Sequence, residues 1–92
     1  MKVVYCSAAQ ADLDDILRYT ATHYPRNLQA LEARIRAVIA RIASHPEGAR
    51  RVEERPSVRV VPVLRYPFRI FYRVDRERVE ILHIHHTARD RW

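Results

Sequence analysis

Phe68-Arg69-Ile70-Phe71-Tyr72-Arg73-Val74, then Asp75-Arg76-Glu77-Arg78, then Val79-Glu80-Ile81-Leu82-His83-Ile84-His85 reads as two strands joined by a tight polar turn. Both runs are rich in β-branched and aromatic residues and have strand length. Alternation places Phe68, Ile70, Tyr72 and Val74 on one face and Arg69, Phe71 and Arg73 on the other. In the second run Val79, Ile81, His83 and His85 alternate with Glu80, Leu82, Ile84 and His86. Apolar residues thus fall on both faces, and the face turned from the rest of the domain is expected to receive another molecule.

Upstream, Val58 to Leu64 gives a third strand. Pro62 within it cannot donate to a ladder, so pairing there is one-sided or bulged. Glu47 to Ser57 is charged and holds Pro56, which predicts a loop or a short edge strand. Before Pro46 the period becomes helical. Leu31, Ile35, Val38, Ile39 and Ile42 form one stripe of a helix opened by Asn27 and stopped at Ser44-His45-Pro46, with Gly48 just beyond. An earlier helix carries Ala9, Leu13, Ile16, Leu17 and Tyr24; Ser7 and Gln10 have the spacing of a capping box, and Asp14 and Arg18 that of an i,i+4 pair. The short connection at Pro25-Arg26 predicts an antiparallel hairpin, and Lys2 to Cys6 a short leading strand. The fold class is α+β: an N-terminal strand and a helical hairpin packed on a small, mostly antiparallel sheet of three to four strands. Residues 1–92 read as one domain.

The formal net charge of +6 favours an acidic partner. Lys2 is the only lysine, and the abundant arginine suits bidentate contact with carboxylate or phosphate. Cys6 is the single cysteine, which leaves no internal disulfide and suits a reducing, cytoplasmic setting. No apolar run has the length to span a bilayer, so no membrane partner is expected. A domain this small has a thin core and is expected to gain stability from a partner.

Several segments together resemble the RelE/ParE superfamily of bacterial type II toxins, and the ParE-like branch more closely. They are Ser7-Ala8 leading into Asp12-Leu13 and Ile16, Ile42-Ala43 before Pro46, Val58-Arg59, the Tyr66-Pro67-Phe68-Arg69-Ile70-Phe71-Tyr72 block, and Ile81-Leu82-His83-Ile84-His85-His86 with Arg89. The resemblance implies a small cytoplasmic toxin neutralised by a cognate antitoxin in a hetero-oligomer. ParE-like members bind and poison DNA gyrase; RelE-like members cut messenger RNA in the ribosomal A site. The solitary lysine, the lack of a tyrosine after Tyr72 and the regular helical hairpin point to the first activity, with no catalytic residues. A degenerate toxin that only binds its antitoxin is a third class.

If the chain were RelE-like, Arg69, His86 and Arg89 would occupy the matching catalytic places, with Glu53, Glu54 or His86 moving protons and the arginines on the phosphate. For binding antitoxin or target, the candidates are Leu17, Tyr24, Leu28, Arg65, Arg69, Phe71, Arg73, Arg89, Arg91 and Trp92. The alternative role for the arginines is a solvated face with cross-strand partners such as Glu80. His83 and His85 share a face and invite a metal, but a site needs a third ligand. Cys6 is distant in sequence and Asp90 lies past the strand, so neither a metal nor another cofactor is expected.

Overall fold

The computed structural model of this chain describes residues 1–88. Its elements in order are β1 (Lys2–Tyr5), α1 (Ser7–His23), a 3-10 turn (Pro25–Asn27), α2 (Leu28–Ser44), β2 (Arg50–Val52), β3 (Arg55–Val63), β4 (Phe68–Asp75) and β5 (Arg78–His86). The strands form one sheet in the order β1-β5-β4-β3-β2. Only the β1–β5 pairing is parallel. The sheet therefore has five strands where the sequence predicts three to four. The added strand is β2, whose residues Arg50 and Arg51 are exposed and charged and give no alternating signal.

The helices lie on one face of the sheet because each carries a single apolar stripe. Leu31, Ile35, Ile39 and Ile42 of α2 and Ala9 of α1 pack with Val63, Ile70, Tyr72, Val79, Ile81 and Ile84. A second cluster, Val52, Val58, Val60 and Phe71 with Leu82 against it, occupies the other face. Pro62 pairs only toward β4, since the β2 ladder reaches no further than Val60. The β4–β5 turn contains Arg76 at φ 52° and Glu77 at φ 62°. Two successive left-handed residues make a two-residue hairpin loop whose twist matches its strands.

Three local expectations are corrected. Cys6, not Ser7, is the N-cap of α1, and it makes no side-chain cap bond. Gln10 donates its side-chain amide to Asp14, and Arg18 pairs with Asp15 at i,i+3 rather than with Asp14. The ladder between β4 and β5 shifts register at Phe71/Tyr72: Phe71 faces His83 whereas Tyr72 faces Ile81, which leaves Leu82 as an extra residue. This bulge breaks the strict alternation. Ile81 and Ile84 both enter the helix-side core, while His85 packs on Phe71 of the other face, ring centroids 5.3 Å apart.

Candidate recognition site

A groove of about 620 Å³ opens where the helical hairpin meets the β3–β4 turn and the end of β5. Its walls include Ile16, Tyr19 and Tyr24 from the hairpin and Tyr66, Phe68 and His86 from the sheet end. Tyr19 is 58% exposed and Tyr24 56%, and both rings pack loosely with His23. Large aromatic surface at the mouth of an apolar groove is the kind of feature that anchors protein partners. Tyr19 was not legible as a site residue, because it lies off the apolar stripe of α1 and gains its meaning only beside Tyr24.

The groove gathers only part of the predicted set. Tyr24 lines it, while Leu17 sits in a separate shallow depression with Tyr5, Leu13 and Arg36. Leu28 is half-buried at the start of α2, and Arg65 is exposed in the β3–β4 turn at φ 74°. Phe71 is 3% exposed and fills the second cluster, so it presents little ring surface to a partner. Arg69 lies on the same face, its guanidinium 6.0 Å from the Phe71 ring centroid. Arg89, Arg91 and Trp92 lie outside the described residues.

Arg73 follows the solvated-face alternative. Its Nε donates to Glu80 Oε1 at 2.6 Å, and Arg78 donates to the other carboxylate oxygen at 3.1 Å. The Arg73 hydrogen bond is the chief reason the Glu80 carboxyl is held below its ordinary range, outweighing the desolvation that opposes it. Reciprocally, Glu80 raises Arg73 above the usual guanidinium value.

The groups named for acid–base chemistry do not converge. His86 meets Phe68 edge-on with centroids 5.6 Å apart, and Phe68 packs on the helix-side core. Arg69 is on the opposite face with Phe71. His86 Nδ1 accepts the backbone N–H of Ala88 at 3.0 Å, which leaves Nε2 as the outward nitrogen. Glu53 and Glu54 sit in the β2–β3 turn, whereas His86 is level with Phe68 and Val63 at the other end of the sheet. At about 3.3 Å per residue, the length of β3 separates them by roughly 25 Å.

Tyr72, from the central block, is structural. It is fully buried and its hydroxyl donates to the Pro46 carbonyl at 2.6 Å. Its cross-strand partner Arg59 donates to the carbonyls of Glu47 and Ala49 at 3.1 and 2.7 Å. Together they hold the link between α2 and β2, and burial raises the Tyr72 phenol above its ordinary value while Arg59 opposes the rise.

One cluster joins residues that the sequence keeps apart. Asp12 Oδ2 lies 3.3 Å from His83 Nδ1 and accepts the backbone N–H of Ile84 at 3.0 Å. His85 is beside His83, ring centroids 4.6 Å apart. β1 pairs with β5 only as far as Ile81, so α1 covers the strand edge beyond it.

A helical hairpin laid on one face of a small mixed sheet, with an apolar groove where the two meet, is the architecture of a small α+β domain. The chain belongs to the family described as the ParE toxin of the type II toxin-antitoxin system parDE, whose model matches residues 3–91. A solved structure of the chromosomal ParDE system from P. aeruginosa is similar at 27% identity and a TM-score of 0.80, over 94% of this chain and 95% of that one. The YoeB/ParE toxin from Agrobacterium tumefaciens shares the fold, with 15% identity, a TM-score of 0.65 and coverage of 94% and 98%. No curated protein sequence matches this chain.

Proposed function

We propose that this ParE-family toxin acts without catalysis, by binding DNA gyrase and blocking its cycle, and that a cognate antitoxin holds it inactive in a hetero-oligomer. The observation that carries the noncatalytic reading is the placement of Arg69 and His86 on opposite faces of the sheet. A cleaving centre needs its base, acid and phosphate-binding cation around one scissile bond.

In this reading the antitoxin seats apolar side chains against Tyr19 and Tyr24, with exposed Arg65 near the groove to meet its acids. The net charge of +6 favours such an acidic partner. Replacing both Tyr19 and Tyr24 by Ala is expected to weaken antitoxin binding by at least about tenfold. Their exposure means the melting temperature stays unchanged. Isothermal titration checks the first effect and a thermal scan the second.

The target is tested by adding purified toxin to a gyrase supercoiling assay with and without antitoxin. Loss of supercoiling that antitoxin restores is expected. Undiminished supercoiling at toxin excess would sink the gyrase assignment and leave either RNA cleavage or a toxin that only binds its antitoxin.

A further inference from the structure

We infer that Asp12, His83 and His85 form a binding site for a divalent transition metal of the zinc class, which pins α1 to the outer edge of β5. The expectation of no metal rested on the lack of a third ligand, and α1 supplies one 71 residues before His83. One ligand atom from each of the three residues lies within 4.8 Å of the others. Around a tetrahedral ion with bonds of about 2.0–2.1 Å, ligand atoms stand roughly 3.3 Å apart. The Asp12–His83 pair already has that spacing, and binding would draw the His85 nitrogen in from a separation of no more than 4.8 Å.

The chemistry of the set is selective. Two imidazoles and one carboxylate suit zinc, cobalt or nickel, and not the all-oxygen shells of magnesium or calcium. The Ile84 N–H donates to Asp12 Oδ2, the same oxygen that faces His83, and so orients the carboxylate toward the two imidazoles. Asp12 and His83 are half-buried and His85 is buried, so the ion would meet solvent on one side only. Among charged neighbours, Arg69 is the cross-strand partner of His85 and opposes a cation. It approaches from the β4 side, whereas Asp12 comes from α1 beyond the opposite edge of β5. The bulge at Leu82 belongs to the same arrangement, since it turns His83 and His85 away from the helix-side core.

The test uses untagged full-length toxin stripped with chelator and titrated with Co²⁺, followed by visible absorption and then by Zn²⁺ competition. One Co²⁺ per chain with strong visible bands, displaced by Zn²⁺, is expected. Asp12→Asn keeps an acceptor for the Ile84 N–H, and His83→Gln alters a half-exposed position; each is expected to lose the bands while circular dichroism stays native. Absence of binding by the wild type would overturn the site and leave a plain Asp12–His83 side-chain contact. Retention of the bands in either folded variant would also overturn it, placing the ion on other histidines. Should one variant fail to fold, the other decides the question.

Discussion

The two faces of the sheet are closed by different means. On one face, folded elements do the work: α1 and α2 cover Ile70, Tyr72, Val79, Ile81 and Ile84. On the other, among the described residues no helix lies across Val52, Val58, Val60 and Phe71; Arg69 stands over the Phe71 ring, and Arg73, Glu80 and Arg78 form a charged network on the same face. Long side chains cover apolar surface with their stems while keeping their charges in water. A helix-covered face is committed to stability, whereas a face screened by side chains can be uncovered by a partner at little cost.

Matched truncations break the comparison most sharply. Val79, fully buried under the helices, and Val60, 6% exposed on the far face, lose the same atoms on replacement by Ala. Val79→Ala is expected to cost about 2–4 kcal/mol because a cavity remains, and Val60→Ala about 1.5 kcal/mol because neighbouring side chains settle into the gap. Equal losses in denaturant unfolding would show that the far face is as rigidly packed as the near one.

Tyr72→Phe tests how the helix side is tied to the remainder of the chain. Without its hydroxyl the Pro46 carbonyl loses its donor, and a loss of about 1–3 kcal/mol is expected by urea unfolding. The link from α2 to β2 then opens at lower denaturant than the core, visible as faster amide exchange at Gly48 and Ala49. Unchanged exchange there would assign the link to Arg59 alone.

The smallest effect belongs to the far face and depends on pH. Glu80 has a depressed carboxyl value in the folded state, so its contribution is present above the unfolded value of about 4.3 and is lost as pH falls through the folded one. Glu80→Gln is therefore expected to flatten the fall in melting temperature below about pH 4. A profile that keeps its full acid slope would mean that the arginine network contributes nothing to stability.

Much of this contrast was legible in the sequence. The stripe through Leu31, Ile35, Ile39 and Ile42 and the alternation of Phe68 to Val74 follow from periods that burial imposes, and Pro25 and Pro46 mark where the helices end. The fifth strand was ambiguous because Arg50 and Arg51 join it through backbone pairing and, for Arg51, a side-chain bond to the Pro56 carbonyl, neither of which leaves an alternating side-chain pattern. The bulge at Leu82 was hidden because every residue around it tolerates either face. Nothing in the sequence joins Asp12 to His83; that they meet is a consequence of β1 ending at Tyr5, a tertiary fact. Tyr19 and Phe68 likewise become groove walls only when the hairpin is set against the sheet end.

The central claim is that the cation Arg69 and the imidazole His86 of the β4–β5 hairpin are divided between two faces and form no cleaving centre. A ribosome-programmed mRNA cleavage assay tests it most directly, run with wild-type toxin and with Arg69→Ala and His86→Ala. No A-site cuts are expected from any of the three proteins. Cuts made by the wild type and abolished by either substitution would contradict the claim.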